Sequence, residues 1–151
     1  MYLTRNHMLQ EIMVDLGGRI AEELVLDDIT TGASNDIQKA TAMARQMVTR
    51  YGMSARIGTI NYEQEAENVF LGYDLGHESR HSEYISGEID KEVKLIIDEC
   101  YKKAKEIIKA NEDILYRAAE LLIEKEKLTG AEFEALFEER NNSLAGLTGS
   151  V

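Results

Sequence analysis

Apolar residues return at three- and four-residue steps through most of this chain, and that period defines helices. The first run extends from Thr4 to about Leu26, with Thr4 at its start and Met8, Ile12, Leu16, Ile20 and Leu24 on one face. The second begins in the polar turn Thr30-Thr31-Gly32. It continues through Ile37, Ala40, Thr41, Ala44, Met47, Val48 and Tyr51, which together predict one buried stripe. Ser34 or Asn35 is placed to cap its first free amides, Gln38 stands three residues after Asn35 as in a capping box, and Gly52 closes the run. A third run, Ser82 to about Ala110, carries Ile85, Ile89, Val93, Ile96, Cys100, Ala104 and Ile107 on one side, with Ser82 as its cap. A fourth, Ile114 to Lys125, turns Ile114, Leu115, Ala118, Leu121 and Leu122 inward. After Leu128-Thr129-Gly130 a last short helix carries Phe133, Leu136 and Phe137.

These runs predict an all-α protein, a bundle of about five helices. One interruption lies near residues 57–72, where Ile57 to Tyr62 and Val69 to Leu71 are short β-prone pieces around an acidic stretch; a loop with at most a short β-hairpin is expected there. Residues 1–140 form the expected domain, and 141–151, NNSLAGLTGSV, the expected disordered C-terminal tail. Gly17-Gly18 interrupts the first helix. Two adjacent residues without side chains predict a close backbone approach to another element, and their spacing is not that of a phosphate loop.

Composition narrows this further. A chain of 151 residues with no proline suits one domain of long helices. A net charge of −11 leaves no basic face for phosphates, which argues against nucleic acid as a partner. Cys100 is the single cysteine, so no internal disulfide can form, and its place in an apolar stripe gives it the role of a small buried hydrophobe. No apolar run reaches the ~20 residues that span a bilayer. The fragment itself is therefore expected to be soluble.

The candidate chemistry is carboxylate chemistry. Asp36 lies in the first turn of the second helix, where the positive end of the helix dipole favours negative charge and leaves the carboxylate available as an acceptor or a metal ligand. The plainer reading is that Asp36 only complements that dipole. Glu22 and Glu23 read as a solvated helix face. Residues 77–81, His77-Glu78-Ser79-Arg80-His81, match the H-E-x-x-H pattern of zinc peptidases, in which two histidines one helical turn apart hold the metal and the glutamate acts as general base. Their setting does not suit it: Gly76 precedes them, Asp74 and Arg80 are charged, and no apolar helix surrounds them.

The run GGRIAEELVLDDITTGASNDIQKATAMARQMVTRYGMS resembles the peptidase domain of the FtsH family of membrane-anchored, ATP-dependent zinc metalloproteases, as do VFLGYDLGHESRHSEYISGEIDKEV and the closing KLTGAEFEALFE. The resemblance runs from about Leu3 to Phe137. It implies that Asp36, the aspartate of TGASND, is the third zinc ligand, and that Glu22 or Glu23 stands close to the zinc site, orienting a histidine. It places the family's H-E-x-x-H upstream of GGRIAEE, before Met1, together with the general base. It also implies zinc as cofactor and ATP used by an AAA ATPase domain of the same full-length chain. Protein substrates, a homo-hexameric ring and a place on the cytoplasmic side of the inner membrane would follow for the parent protein. On this reading the chain alone folds but does not cleave peptides, because Asp36 is one ligand of three. Two other readings remain: a non-catalytic helical assembly module, and a self-contained metal enzyme built from His77, Glu78, His81 and Asp36.

Overall fold

The computed structural model of this protein describes residues 2–63 and 82–148. Among the described residues five α-helices follow in order: α1 Arg5–Leu26, α2 Ser34–Thr49, α3 Glu83–Ala110, α4 Glu112–Lys125 and α5 Gly130–Thr148, with a 3-10 turn, Thr31–Ala33, leading into α2. No strand occurs among the described residues, so the fold is all-α as the periodicity predicts. The chain divides into two compact units, the first ending at Glu106 within α3 and the second beginning at Ile107.

The first unit is built on α1, α2 and most of α3. Thr4 caps α1 by accepting the His7 N–H at 3.1 Å. The predicted face of α1 is buried at Met8, Ile12, Leu16 and Ile20. Against α1 lies α2, contributing Ala40, Ala44, Met47 and Val48 to the core. The buried stripe of α2 is narrower than the sequence predicts, because Ile37, Thr41 and Tyr51 are exposed. Ser82 caps α3 through the Ile85 N–H at 3.2 Å, and α3 buries Ile89, Val93, Ile96, Cys100 and Ala104. Cys100 is a buried thiol, pushed up from its ordinary pKa by that burial, with its Sγ 3.7 Å from the Leu9 carbonyl of α1.

The segment after α2 turns back on the end of that helix. Gly52 takes φ +60°, and a Cβ there would stand 3.0 Å from the Thr59 Cα. Tyr62 N–H donates to the Thr49 carbonyl at 2.7 Å. Arg56, in this segment, pairs with Glu88 of α3, which Lys91 also reaches at 3.3 Å. Burial works against a charge on Glu88, but the bonds from Arg56 and Lys91 outweigh it and hold the carboxyl below its ordinary value. The β-prone piece Ile57 to Tyr62 forms no strand, as expected of a loop, and its possible hairpin partner Val69 to Leu71 lies outside the described residues.

The second unit has its own small core. Ile114 and Ala118 of α4 meet Leu136 of α5, with Leu121, Leu128 and Phe137 packed around them. Leu122, expected inward, is 46% exposed. Thr129 caps α5 by accepting the Glu132 N–H at 3.1 Å. The helix then continues through 141–148, a stretch that carries no apolar period.

Candidate functional site

The acidic residues of α1 and the start of α2 meet on one strip. On a helix, positions three and four apart share a face, so Glu11, Asp15, Gly18 and Glu22 line up along α1. Asp36, in the first turn of α2 and half-buried, faces that strip, with its Oδ2 4.0 Å from where a Cβ on Gly18 would stand. At Gly17 an added Cβ would meet nothing within 4 Å. The glycine pair therefore does not mark a tight backbone contact within the described residues. Its one neighbour is the Asp36 carboxylate.

The turn before α2 is held by Glu22. Thr30 donates its hydroxyl to Glu22 Oε1 at 2.7 Å and its N–H to Oε2 at 3.4 Å. The same hydroxyl accepts the Gly32 N–H at 3.1 Å and so caps the 3-10 turn. That turn takes over the capping expected of Ser34 or Asn35: Ser34 is already helical, its N–H bonds to the Thr31 carbonyl, and no side chain caps α2. Glu23 points elsewhere. It accepts the Tyr101 hydroxyl from α3 and the Arg19 Nε–H at 3.2 Å. The Tyr101 bond, helped by Arg19, holds Glu23 below its ordinary pKa despite partial burial, and it pushes the Tyr101 phenol up. Of the two adjacent glutamates, Glu22 thus lies on the Asp36 side of α1 and Glu23 on the α3 side.

Asp15, which the sequence did not single out, belongs to the same strip. Burial, then the charge of Asp36, pushes its carboxyl above the ordinary value, while Lys39 pulls it down. Glu11, Val14, Asp15, Lys39 and Met43 line a groove of about 550 Å³ between α1 and α2. Val14 is 77% exposed at its edge. The i, i+3, i+4 spacing of Glu11, Asp15, Gly18 and Glu22 was the signal that could have found this strip.

Carboxylates alone make a poor zinc site, because zinc is held mainly by histidine nitrogen and cysteine sulfur. His7, at the start of α1, is paired with Glu11 at 3.0 Å. Among the described residues no three of His, Cys, Asp and Glu come together in a way that could hold a metal ion. The described residues therefore hold no zinc centre of their own. His77, Glu78 and His81 lie outside the described residues.

With this geometry, comparison with known proteins is decisive for class. The profile of Peptidase family M41 matches residues 1–136, and the chain belongs to that family, the zinc metallopeptidases of the FtsH type. Its relatives carry the more particular name. It is 54% identical over 136 residues to the ATP-dependent zinc metalloprotease FtsH 1 of Thermoanaerobacter sp. (strain X514), covering 90% of this chain and 22% of that protein. It is 53% identical to the ATP-dependent zinc metalloprotease FtsH of Caldicellulosiruptor bescii, over 89% of this chain and 22% of that protein. With FtsH 3 of Synechocystis sp. it shares 40% identity over 94% of its length and 23% of that relative's. The chain spans about a fifth of the length of the curated relatives it matches. Among the described residues no helix is long and apolar enough to cross a membrane.

Proposed function

We propose that this chain is the C-terminal part of the peptidase domain of an ATP-dependent zinc metalloendopeptidase, and that Asp36 is the one zinc ligand it supplies. The observation that carries the reading is the placement of Asp36. It lies in the first turn of α2, just after the 3-10 turn that Glu22 and Thr30 hold in place, against a glycine of α1. Glu22 is the glutamate that supports the metal centre, through the turn; Glu23 is occupied by Arg19 and Tyr101. When bound, zinc would polarise the scissile carbonyl and activate a water. The two histidines and the general base belong to the parent protein outside this chain, as do the AAA ATPase domain that uses ATP and the membrane anchor; the parent works as a homo-hexameric ring on the cytoplasmic side of the inner membrane. Unfolded or membrane proteins are its substrates.

The isolated chain is accordingly inactive. Purified chain incubated with unfolded casein should leave it intact with or without added zinc, whereas chelator-sensitive cleavage would sink the reading. In the full-length protein, Asp36→Ala should lose zinc and peptidase activity together while ATP hydrolysis continues.

A further inference from the structure

Tyr101 belongs to α3, far in sequence from the turn that carries Asp36, yet its hydroxyl stands at the head of a connected set of hydrogen bonds. It donates to one oxygen of Glu23, and Arg19, one helical turn earlier on α1, donates to the other at 3.2 Å. Both carboxylate oxygens of Glu23 are thereby engaged, one from within α1 and one from α3. Successive residues on an α-helix point ~100° apart, so holding Glu23 on α3 fixes the rotation of α1 about its own axis. That rotation sets where the neighbouring strip, Gly18 and Glu22, is aimed. Glu22 then meets the Thr30 hydroxyl at 2.7 Å, Thr30 accepts the Gly32 N–H at 3.1 Å, and the 3-10 turn delivers the first turn of α2 with Asp36 opposite Gly18.

We propose that Tyr101 is a positioning residue for this site: by anchoring Glu23 it aims Glu22 at Thr30 and orders the turn that presents Asp36. The proposal rests on the reading of Asp36 as a metal ligand only for its consequence in the parent enzyme. The ordering of the turn is a property of this chain. The bonds that end on Glu23 and Glu22 have a carboxylate acceptor, and the one from Arg19 a charged donor as well, which makes them stronger than neutral ones and worth more to orientation. Lys105, its Nζ 5.8 Å from the Tyr101 ring centre, acts on Glu23 through its charge rather than through the Tyr101 hydroxyl bond, and so serves as a control.

The test is backbone ¹⁵N relaxation of the 151-residue chain, comparing Tyr101→Phe, Glu23→Ala and Lys105→Ala with the parent. The amides of Thr31, Gly32 and Ala33 should have order parameters of about 0.85 in the parent and in Lys105→Ala, and below about 0.6 in both Tyr101→Phe and Glu23→Ala. The amides of Ala44 to Val48 should stay rigid in all four. Turn amides that remain ordered in both Tyr101→Phe and Glu23→Ala would make Tyr101 a packing contact and overturn the proposal. A loss of order spread evenly over α1 and α2 would overturn it equally, since it would report general loosening. Failure of the metal reading looks different: Asp36→Ala would keep its zinc in the full-length protein while the turn in Tyr101→Phe still loosened.

Discussion

Glu22 accepts the Thr30 hydroxyl at 2.7 Å, joining the last turns of α1 to the entry of α2 across eight positions of chain. That bond is what keeps the TTGAS turn against α1, because Thr30 also caps the turn through Gly32. Thr30→Ala removes both interactions and leaves Glu22 only the longer bond from the residue 30 N–H, at 3.4 Å. It should cost ~1 kcal/mol of stability, read as a lower urea midpoint with an unchanged slope. A midpoint equal to that of the parent would show that the turn is held by something else.

The two interior glycines of contrasting setting give opposite predictions. Gly17 is helical with open space where a Cβ would go. Gly17→Ala should therefore stabilise this chain by about 0.5–1 kcal/mol, chiefly by restricting the unfolded state. Gly52, at φ +60° and pressed against Thr59, should lose more than about 1 kcal/mol on the same replacement. Thermal unfolding of the two variants decides it. A Gly17→Ala variant less stable than the parent would restore the close backbone approach that the sequence alone suggested.

Core and surface should separate as cleanly. Ile12 is fully buried and Ile123 is 83% exposed. Ile12→Ala should cost about 2–5 kcal/mol, and Ile123→Ala no more than about 0.5 kcal/mol. Chemical denaturation measures both. Equal effects would mean that Ile123 is covered in solution.

Two carboxylates make stability depend on pH with a definite sign. Glu88, against its burial, is held below its ordinary pKa by Arg56 and Lys91, and Glu23 is held low by Tyr101 and Arg19. A folded-state value below the unfolded one gives stability that is full above the unfolded value and lost as pH falls through the folded one. The urea midpoint should thus fall between about pH 5 and about pH 3. Glu88→Gln should lower the midpoint at neutral pH and flatten part of that acid slope. An acid slope the same as the parent's would remove Glu88 from the account.

How much of this was legible in the sequence follows from which physics each feature obeys. The face of α1, and that of α3 from Ile89 to Ala104, could be read because one period of 3.6 governs them, although Ile107, expected on the same face, stands exposed; Thr4 and Ser82 cap as their types predict. The α2 stripe was read too wide, since Ile37, Thr41 and Tyr51 keep the period but stand exposed. Capping by Ser34 or Asn35 failed because the 3-10 turn had already satisfied the first amide, a local alternative that side-chain type does not reveal. The proposed role of Asp36 rests on resemblance and not on spacing. Glu22 lies on the Asp36 side while Glu23 is bound by Tyr101, 78 positions away, and no local pattern could carry that.

The most direct test of the account is the zinc content of the purified 151-residue chain, with Asp36→Ala and the double variant His77→Ala/His81→Ala measured beside it. If Asp36 is one ligand of a centre completed by residues outside this chain, all three proteins should carry far less than about one zinc per chain, since a lone carboxylate does not hold the metal. Near-stoichiometric zinc in the parent, lost in both variants, would contradict this and place a complete metal site on Asp36 and the His77–His81 segment.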